Sequence, residues 1–320
     1  MQVVVEPPAF RRALRRARAE GERIGLVPTM GSLHAGHRAL VARAGAAHRH
    51  VAVSIFVNPL QFDRPEDLAG YPRDLEADLR ACEEAGVGTV FAPSGAAMFP
   101  AGAATTVSVA GLGDRWEGPS RPGHLAGVAT VVAKLFSLAG PCAAYFGEKD
   151  FQQLALVRRM AADLSMPVEV VGCPTVREPD GLALSSRNAL LSPAERRAAT
   201  ALWHALEAGR AAVAEGEDRP EAVASAMSGT IAAEPLASLD YAAAVDAADL
   251  TVPASLSEPA ALRLLVAARI GSVRLIDNCA APRPAEPAGD DRGLIDDCAA
   301  PRPAEPAGDD RGLSAVARTS

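Results

Sequence analysis

Two histidines three residues apart enclose a glycine in His34-Ala35-Gly36-His37, between the apolar run Ile24 to Met30 and a helical pattern. A helix N-terminus offers unpaired backbone N–H groups and the positive end of the macrodipole, and imidazoles there add directional donors. The combination suits phosphate. Gly31 and Gly36 lack a Cβ, so phosphate oxygens could come close to the main chain. A zinc site would ask for a third ligand and commonly an i, i+4 pair, which this spacing does not supply.

Three further strings carry polar groups at the ends of apolar runs. In Ser54 to Phe62 (SIFVNPLQF), Pro59 stops a buried-looking strand and Gln61 stands at its mouth, with Asn58 just before. Taken alone, that glutamine reads equally as a solvated loop residue. Gly147-Glu148-Lys149-Asp150 follows the strand-like Ala143 to Phe146 and opens a helix, so Lys149 could neutralise charge on a departing phosphate. Ser185-Ser186-Arg187-Asn188 lies on a turn-rich segment, where hydroxyls and a guanidinium suit a phosphate clamp or a simple cap. Of 32 basic residues only Lys134 and Lys149 are lysine, and asparagine occurs only at 58, 188 and 278. A composition that favours arginine makes a surviving lysine a candidate for a position where a compact ammonium is needed. Lys134, inside an apolar helical stretch, also reads as a snorkelling side chain.

Pro28 to His37 (PTMGSLHAGH), SIFVNPLQF, Gly118 to Phe136 (GPSRPGHLAGVATVVAKLF), GEKD and LSSRN together resemble the pantothenate synthetase family of the HxGH nucleotidyltransferase superfamily, over about Val27 to Asn278. The resemblance implies ATP-dependent condensation of (R)-pantoate with β-alanine through a pantoyl adenylate, releasing AMP and pyrophosphate. It implies catalytic roles for His37, His34 and Lys149. An ATP site would comprise Met30, Gly31, Ser32, Leu33, His34, Ala35, Gly36, His37, Gly147, Glu148, Lys149, Asp150, Val176, Leu184, Ser185, Ser186 and Arg187. Gln61, Gln153, Asn58, Arg121 and His124 would meet the other substrates. Mg²⁺ is implied as a counterion held by phosphate and water and not by a protein metal site, and the assembly implied is a homodimer. Two positions depart from the family strings: Phe151 replaces a tyrosine, and Leu184 replaces a methionine.

The elements that must position these residues read as an open α/β fold. Apolar runs at Gly25 to Thr29, Val51 to Val57, Thr89 to Ala92, Ala143 to Phe146 and Val168 to Val171 alternate with helical patterns at 36–47, 74–85 and 150–164. We expect a Rossmann-like parallel sheet over residues 1–176, with ligands at the C-terminal strand ends. A smaller α+β lid domain is expected over 177–278. Ser192-Pro193-Ala194-Glu195 reads as an N-cap opening one long helix toward Glu215, and two strands meet around Gly271. Residues 275–293 (LIDNCAAPRPAEPAGDDRG) recur at 294–312 with one change, Asn278 against Asp297. Pro, Ala, Asp and Arg dominate the repeat, so 279–320 is expected to be a flexible tail. Alternatively, Leu294 to Asp296 could take the place of Leu275 to Asp277 as the terminal strand.

Composition narrows the function classes. The 320 residues are 49% hydrophobic, enough for a substantial core, and no apolar run reaches the roughly 18 residues that cross a bilayer. The N-terminus lacks the order of a signal peptide, so a cytoplasmic protein with no membrane partner is expected. Five cysteines without CxxC spacing argue against a disulfide framework, and a net charge of -7 argues against a nucleic-acid partner.

Overall fold

Strand residues in the N-terminal half are apolar on both sides of the chain, and the fold buries both. The computed structural model describes residues 1–62 and 65–282. Within them β1 (Gln2–Val4), β2 (Ile24–Thr29), β3 (His50–Ile55), β4 (Thr89–Phe91), β5 (Cys142–Gly147) and β6 (Val168–Cys173) form one parallel sheet in the order β1-β4-β3-β2-β5-β6. Successive side chains of a strand point to opposite faces. Accordingly Leu26, Ala52, Phe91, Ala144 and Phe146 join a core with the helices Pro7–Ala19, His124–Ala139 and Phe151–Asp163. Their neighbours Val27, Val53, Val90, Ala143 and Tyr145 pack on the opposite face against Ala35–Ala47 and Leu75–Glu84.

The strand order fixes where a ligand can enter. From β2 the chain runs outward through β3 and β4 to one side, while β5 and β6 continue on the other, so the switch point lies between β2 and β5. In an open parallel sheet that divergence leaves a crevice at the C-terminal strand ends. Thr29 of β2 pairs with Ile55 and Gly147 of β5 pairs with Cys173, and the histidine and lysine strings start directly after these ends.

A second sheet is antiparallel, β7 (Ala237–Asp246), β8 (Leu262–Ile270) and β9 (Val273–Ala281), in that order. Helices Ala201–Ala214 and Pro220–Ala232 cover it, with Leu202, Leu206, Met227 and Ile231 packed against Leu264, Val266 and Ile270. Ala243, Val245 and Leu265 enter the larger core, so the two sheets share one compact unit among the described residues. No helix in the described residues is long and apolar enough to cross a membrane.

The structure departs from the sequence expectations in three places. The long helix from Pro193 is two helices, Pro193–Ala198 and Ala201–Ala214, because the Thr200 hydroxyl donates to the Arg197 carbonyl and the bonding shortens there to Leu202 N–H on Ala199. Its N-terminus is as expected, with Ser192 and Glu195 forming a reciprocal capping box. β1 and the Ala-rich β7 were not singled out by the hydrophobic pattern. The boundary at residue 278 also moves: Cys279, Ala280 and Ala281 pair with Leu264, Arg263 and Leu262, so the first repeat copy opens inside β9. The expected tail beyond Pro282, and with it the second copy, lies outside the described residues.

Truncation should resolve this boundary. A chain ending at Asn278 loses three ladder pairs that a chain ending at Pro282 keeps, and we expect it to melt about 2–8 °C lower, corresponding to about 1–2 kcal/mol. Differential scanning calorimetry of the two truncations makes the comparison, and equal melting temperatures would show that the end of β9 adds nothing.

Candidate active site

His34 is the N-cap of the helix Ala35–Ala47, and its Nδ1 accepts from the Gly36 N–H at 3.1 Å. His37 closes the reciprocal contact, its Nδ1 accepting from the His34 N–H at 3.4 Å. Two imidazoles thus form a capping box, with ring centroids 4.1 Å apart. An imidazole whose Nδ1 accepts must, when neutral, carry its proton on Nε2. Burial, then the neighbouring His34, lowers His37 to about 4, and burial followed by the Lys149 charge lowers His34. At neutral pH both rings are therefore neutral Nε2–H donors at a helix N-terminus.

The two glycines also have a steric role inside the protein. A Cβ on Gly36 would lie 2.9 Å from Cε1 of His34, so the glycine makes room for the capping ring. Gly31 has φ +85°, and a Cβ there would meet the Asp78 carboxylate at 2.7 Å. Asp78, 4% exposed, accepts from the N–H groups of Ser32 (2.9 Å) and Leu33 (2.7 Å) and pins the connection between β2 and the histidine helix. The sequence offered no sign of this residue, which sits in an ordinary amphipathic helical pattern.

Gln61 ends the short turn Pro59–Gln61 and is largely buried. Its Oε1 accepts from Asn58 Nδ2 at 3.0 Å and its Nε2 lies 2.9 Å from Met30 Sδ, which ties the β3 mouth to the β2 end. Asn58 is 1% exposed and its amide is fully engaged, with Gln61, with the Gly127 carbonyl and with the Leu60 N–H. It stands behind Gln61 as a support. His124 Nδ1 donates to the Gln61 carbonyl at 2.8 Å, and Arg121 approaches His124 Nε2 at 3.1 Å. Burial, reinforced by the Arg121 charge, lowers His124 to about 4.

Across the switch point, Glu148–Asp150 form one tight turn ahead of the helix Phe151–Asp163. Lys149 Nζ lies 3.4 Å from Asp150 Oδ1. Desolvation raises the Asp150 carboxyl, but Lys149 together with Arg187 and His124 outweighs it, so the carboxyl sits below its ordinary range. The fields of Lys149 and Asp150 reach His34, and those of Arg187 and His124 reach Asp150. Arg121, His124, Lys149, Asp150 and Gln153 line one cleft, closed on its far side by Tyr241 and Asn278 of the small sheet. The histidines and Gln61 are not among the residues lining that cleft, and Gln61 is tied to it through the His124 ring. Val176 and Leu184 are joined by the Leu184 N–H on the Val176 carbonyl, and Ser185 caps the turn Ser186–Leu190 through the Arg187 N–H.

Two networks in the wall of the cleft escaped the sequence. Glu117, 6% exposed, receives Arg274 at 2.7 and 2.8 Å and the Tyr241 hydroxyl at 2.9 Å. Burial and then the Glu117 charge raise the Tyr241 phenol, so it remains a donor. Gln152 holds the carbonyls of Leu112 and Arg115 and the Glu117 N–H. Lys134 donates to the Met98 carbonyl beside the Phe99 ring, so its role is packing. Among the described residues no group of three or more His, Cys, Asp or Glu side chains could hold a metal ion.

The chain is similar to known proteins along most of its length. A family model described as Pantoate-beta-alanine ligase matches residues 2–280. The chain belongs to this family. It is 53% identical to the pantothenate synthetase of Rubrobacter xylanophilus over 285 residues, covering 86% of this chain and 97% of the relative. The crystal structure of pantothenate synthetase from Thermus thermophilus superposes with a TM-score of 0.82 at 49% identity, over 88% of this chain and all of that one. A Francisella tularensis pantoate-beta-alanine ligase, solved with beta-gamma ATP and beta-alanine, matches at 0.71 and 32% identity, over 88% of this chain and 97% of that one.

The lowered histidines carry a pH signature. His37 and His124 at about 4 bind fewer protons when folded than at their ordinary 6.5, so stability is full above about pH 6.5 and falls as pH drops toward 4. Nitrogen-detected NMR of the ring resonances should show His37 as the Nε2–H tautomer still neutral at pH 5.5. A protonated His37 at that pH would contradict the burial of its ring.

Proposed function

We propose that the chain condenses (R)-pantoate with β-alanine using ATP, through a bound pantoyl adenylate, and releases AMP and pyrophosphate. The observation that carries this reading is the pair of neutral Nε2–H imidazoles on a helix N-terminus, set across the β2/β5 crevice from the Lys149 turn. Donors and an ammonium fixed in place before reaction are the means by which a protein stabilises charge developing on a displaced pyrophosphate.

In this reading the pantoate carboxylate attacks the α-phosphorus in line while His37 donates to the phosphate oxygens. His34, Lys149, Ser186 and Arg187 surround the triphosphate, with Met30 to His37, Gly147 to Asp150, Val176 and Leu184 to Arg187 forming the nucleotide site. Gln61 and Gln153 offer amides that both donate and accept, which suits a small hydroxy acid, and Arg121 and His124 border it. The β-alanine amine then attacks the activated carbonyl and AMP leaves. Mg²⁺, if bound with the nucleotide, would be held by phosphate oxygens and water and would supply charge neutralisation there, with no protein side chain required as a ligand. The segment from residue 177 to the end of β9 acts as a lid domain, a role supported by the way Tyr241 and Asn278 close the cleft, and the enzyme works as a homodimer as its sequence resemblance implies.

The order of chemistry is accessible to labelled pyrophosphate. Exchange into ATP should require pantoate and proceed without β-alanine, and His37→Ala should lower it about 10²- to 10³-fold with the fold intact. Exchange driven by another acid and not by pantoate would overturn the substrate assignment, and near-normal turnover in folded His37→Ala would remove that histidine from its role.

A further inference from the structure

The Lys149 turn is held in place from the far sheet. Asn278, on β9 and 4% exposed, donates from Nδ2 to the carbonyl of Glu148 at 3.0 Å and to that of Lys149 at 2.7 Å. Its Oδ1 accepts from Arg263 Nε at 2.7 Å, and the same guanidinium donates to the Glu148 carboxylate at 3.1 Å and lies 4.0 Å from the Phe151 ring centroid. The Asn278 main chain is fixed as well. Its N–H donates to Asp277 Oδ1, and its carbonyl accepts from Arg177, which grips Asp277 at 2.6 and 3.0 Å.

We propose that Asn278 is a positioning residue for the reaction assigned above, acting through Lys149: its amide clamps two consecutive carbonyls of the turn and so sets where the ammonium stands when pyrophosphate departs. The proposal rests on that reading of the site. Two part-buried carbonyls facing one side chain call for a side chain with two donors, and among residues of this length only an amide supplies them while still accepting from Arg263. A carboxylate of identical shape would lose both donors and bring negative charge to within about 3 Å of two carbonyl oxygens. The repeat makes the same distinction in sequence, since Asn278 against Asp297 is the one difference between its copies. A second copy in the terminal-strand register would present the wrong group to the Lys149 turn.

The test is a double-mutant cycle between Asn278→Asp or Asn278→Ala and Lys149→Ala, read by pyrophosphate exchange with whichever acid drives exchange in the unmutated protein. Which acid that is judges the substrate assignment, and the cycle itself judges Asn278. In the Lys149 background we expect Asn278→Asp to lower exchange turnover about 10- to 100-fold, with the KM for the acid changed less than about twofold. In the Lys149→Ala background the same substitution should add less than about a further twofold. Equal losses in both backgrounds would overturn the proposal, because the residue would then act on the fold at large. Asn278→Ala removes the donors without burying a charge and carries the cycle if the aspartate variant does not melt cooperatively. Failure of both to fold would make Asn278 a folding residue and overturn the proposal equally.

Discussion

The divergence of the chain between β2 and β5 is the constraint from which the rest of this structure follows. Neighbouring parallel strands end on one rim, yet the segments leaving these two travel to opposite sides and leave their exits facing each other. Main-chain groups in such a gap cannot satisfy one another, and each exit needs an outside partner. Asp78 serves the β2 exit by accepting two N–H groups, and Asn278 serves the β5 exit by donating to two carbonyls. The signs are complementary. A loop rich in free N–H takes a carboxylate, and a turn with carbonyls to spare takes an amide.

With the exits fixed, the remaining polar groups can be held ready. The two imidazoles spend their Nδ1 lone pairs on backbone N–H groups, which commits their protons to Nε2 and settles ring orientation together with tautomer. His124 adopts the opposite tautomer because its Nδ1 must donate to the Gln61 carbonyl. Three half-buried histidines thus present defined faces without any of them being charged at neutral pH.

Much of the fold was legible because the strands buried on both faces are continuous apolar runs, and the helix ends carried recognisable caps, as at Ser192. What escaped was set by tertiary context. β7 is alanine-rich and has little strand preference of its own, so its place comes from pairing with β8. Motif strings brought His34, His37, Gln61 and Lys149 to notice, but not Asp78, Glu117 or Arg263, whose partners are distant in sequence. Composition did hold a partial signal. In an asparagine-poor chain, Asn58 and Asn278 both prove buried with engaged amides, and Asn188 bonds the Ala183 carbonyl. Scarcity pointed to places where no other side chain satisfies the backbone.

The tandem repeat gives β9 an unusual genetic exposure. Near-identical neighbouring segments can recombine and contract to one, and here the outcome depends on where the crossover falls. A junction downstream of codon 278 restores a single copy with asparagine. One upstream of it leaves aspartate facing the carbonyls of Glu148 and Lys149. The position of the junction therefore decides the outcome: one within Leu275 to Asp277 replaces the amide of the clamp with a charge, and one further along keeps it.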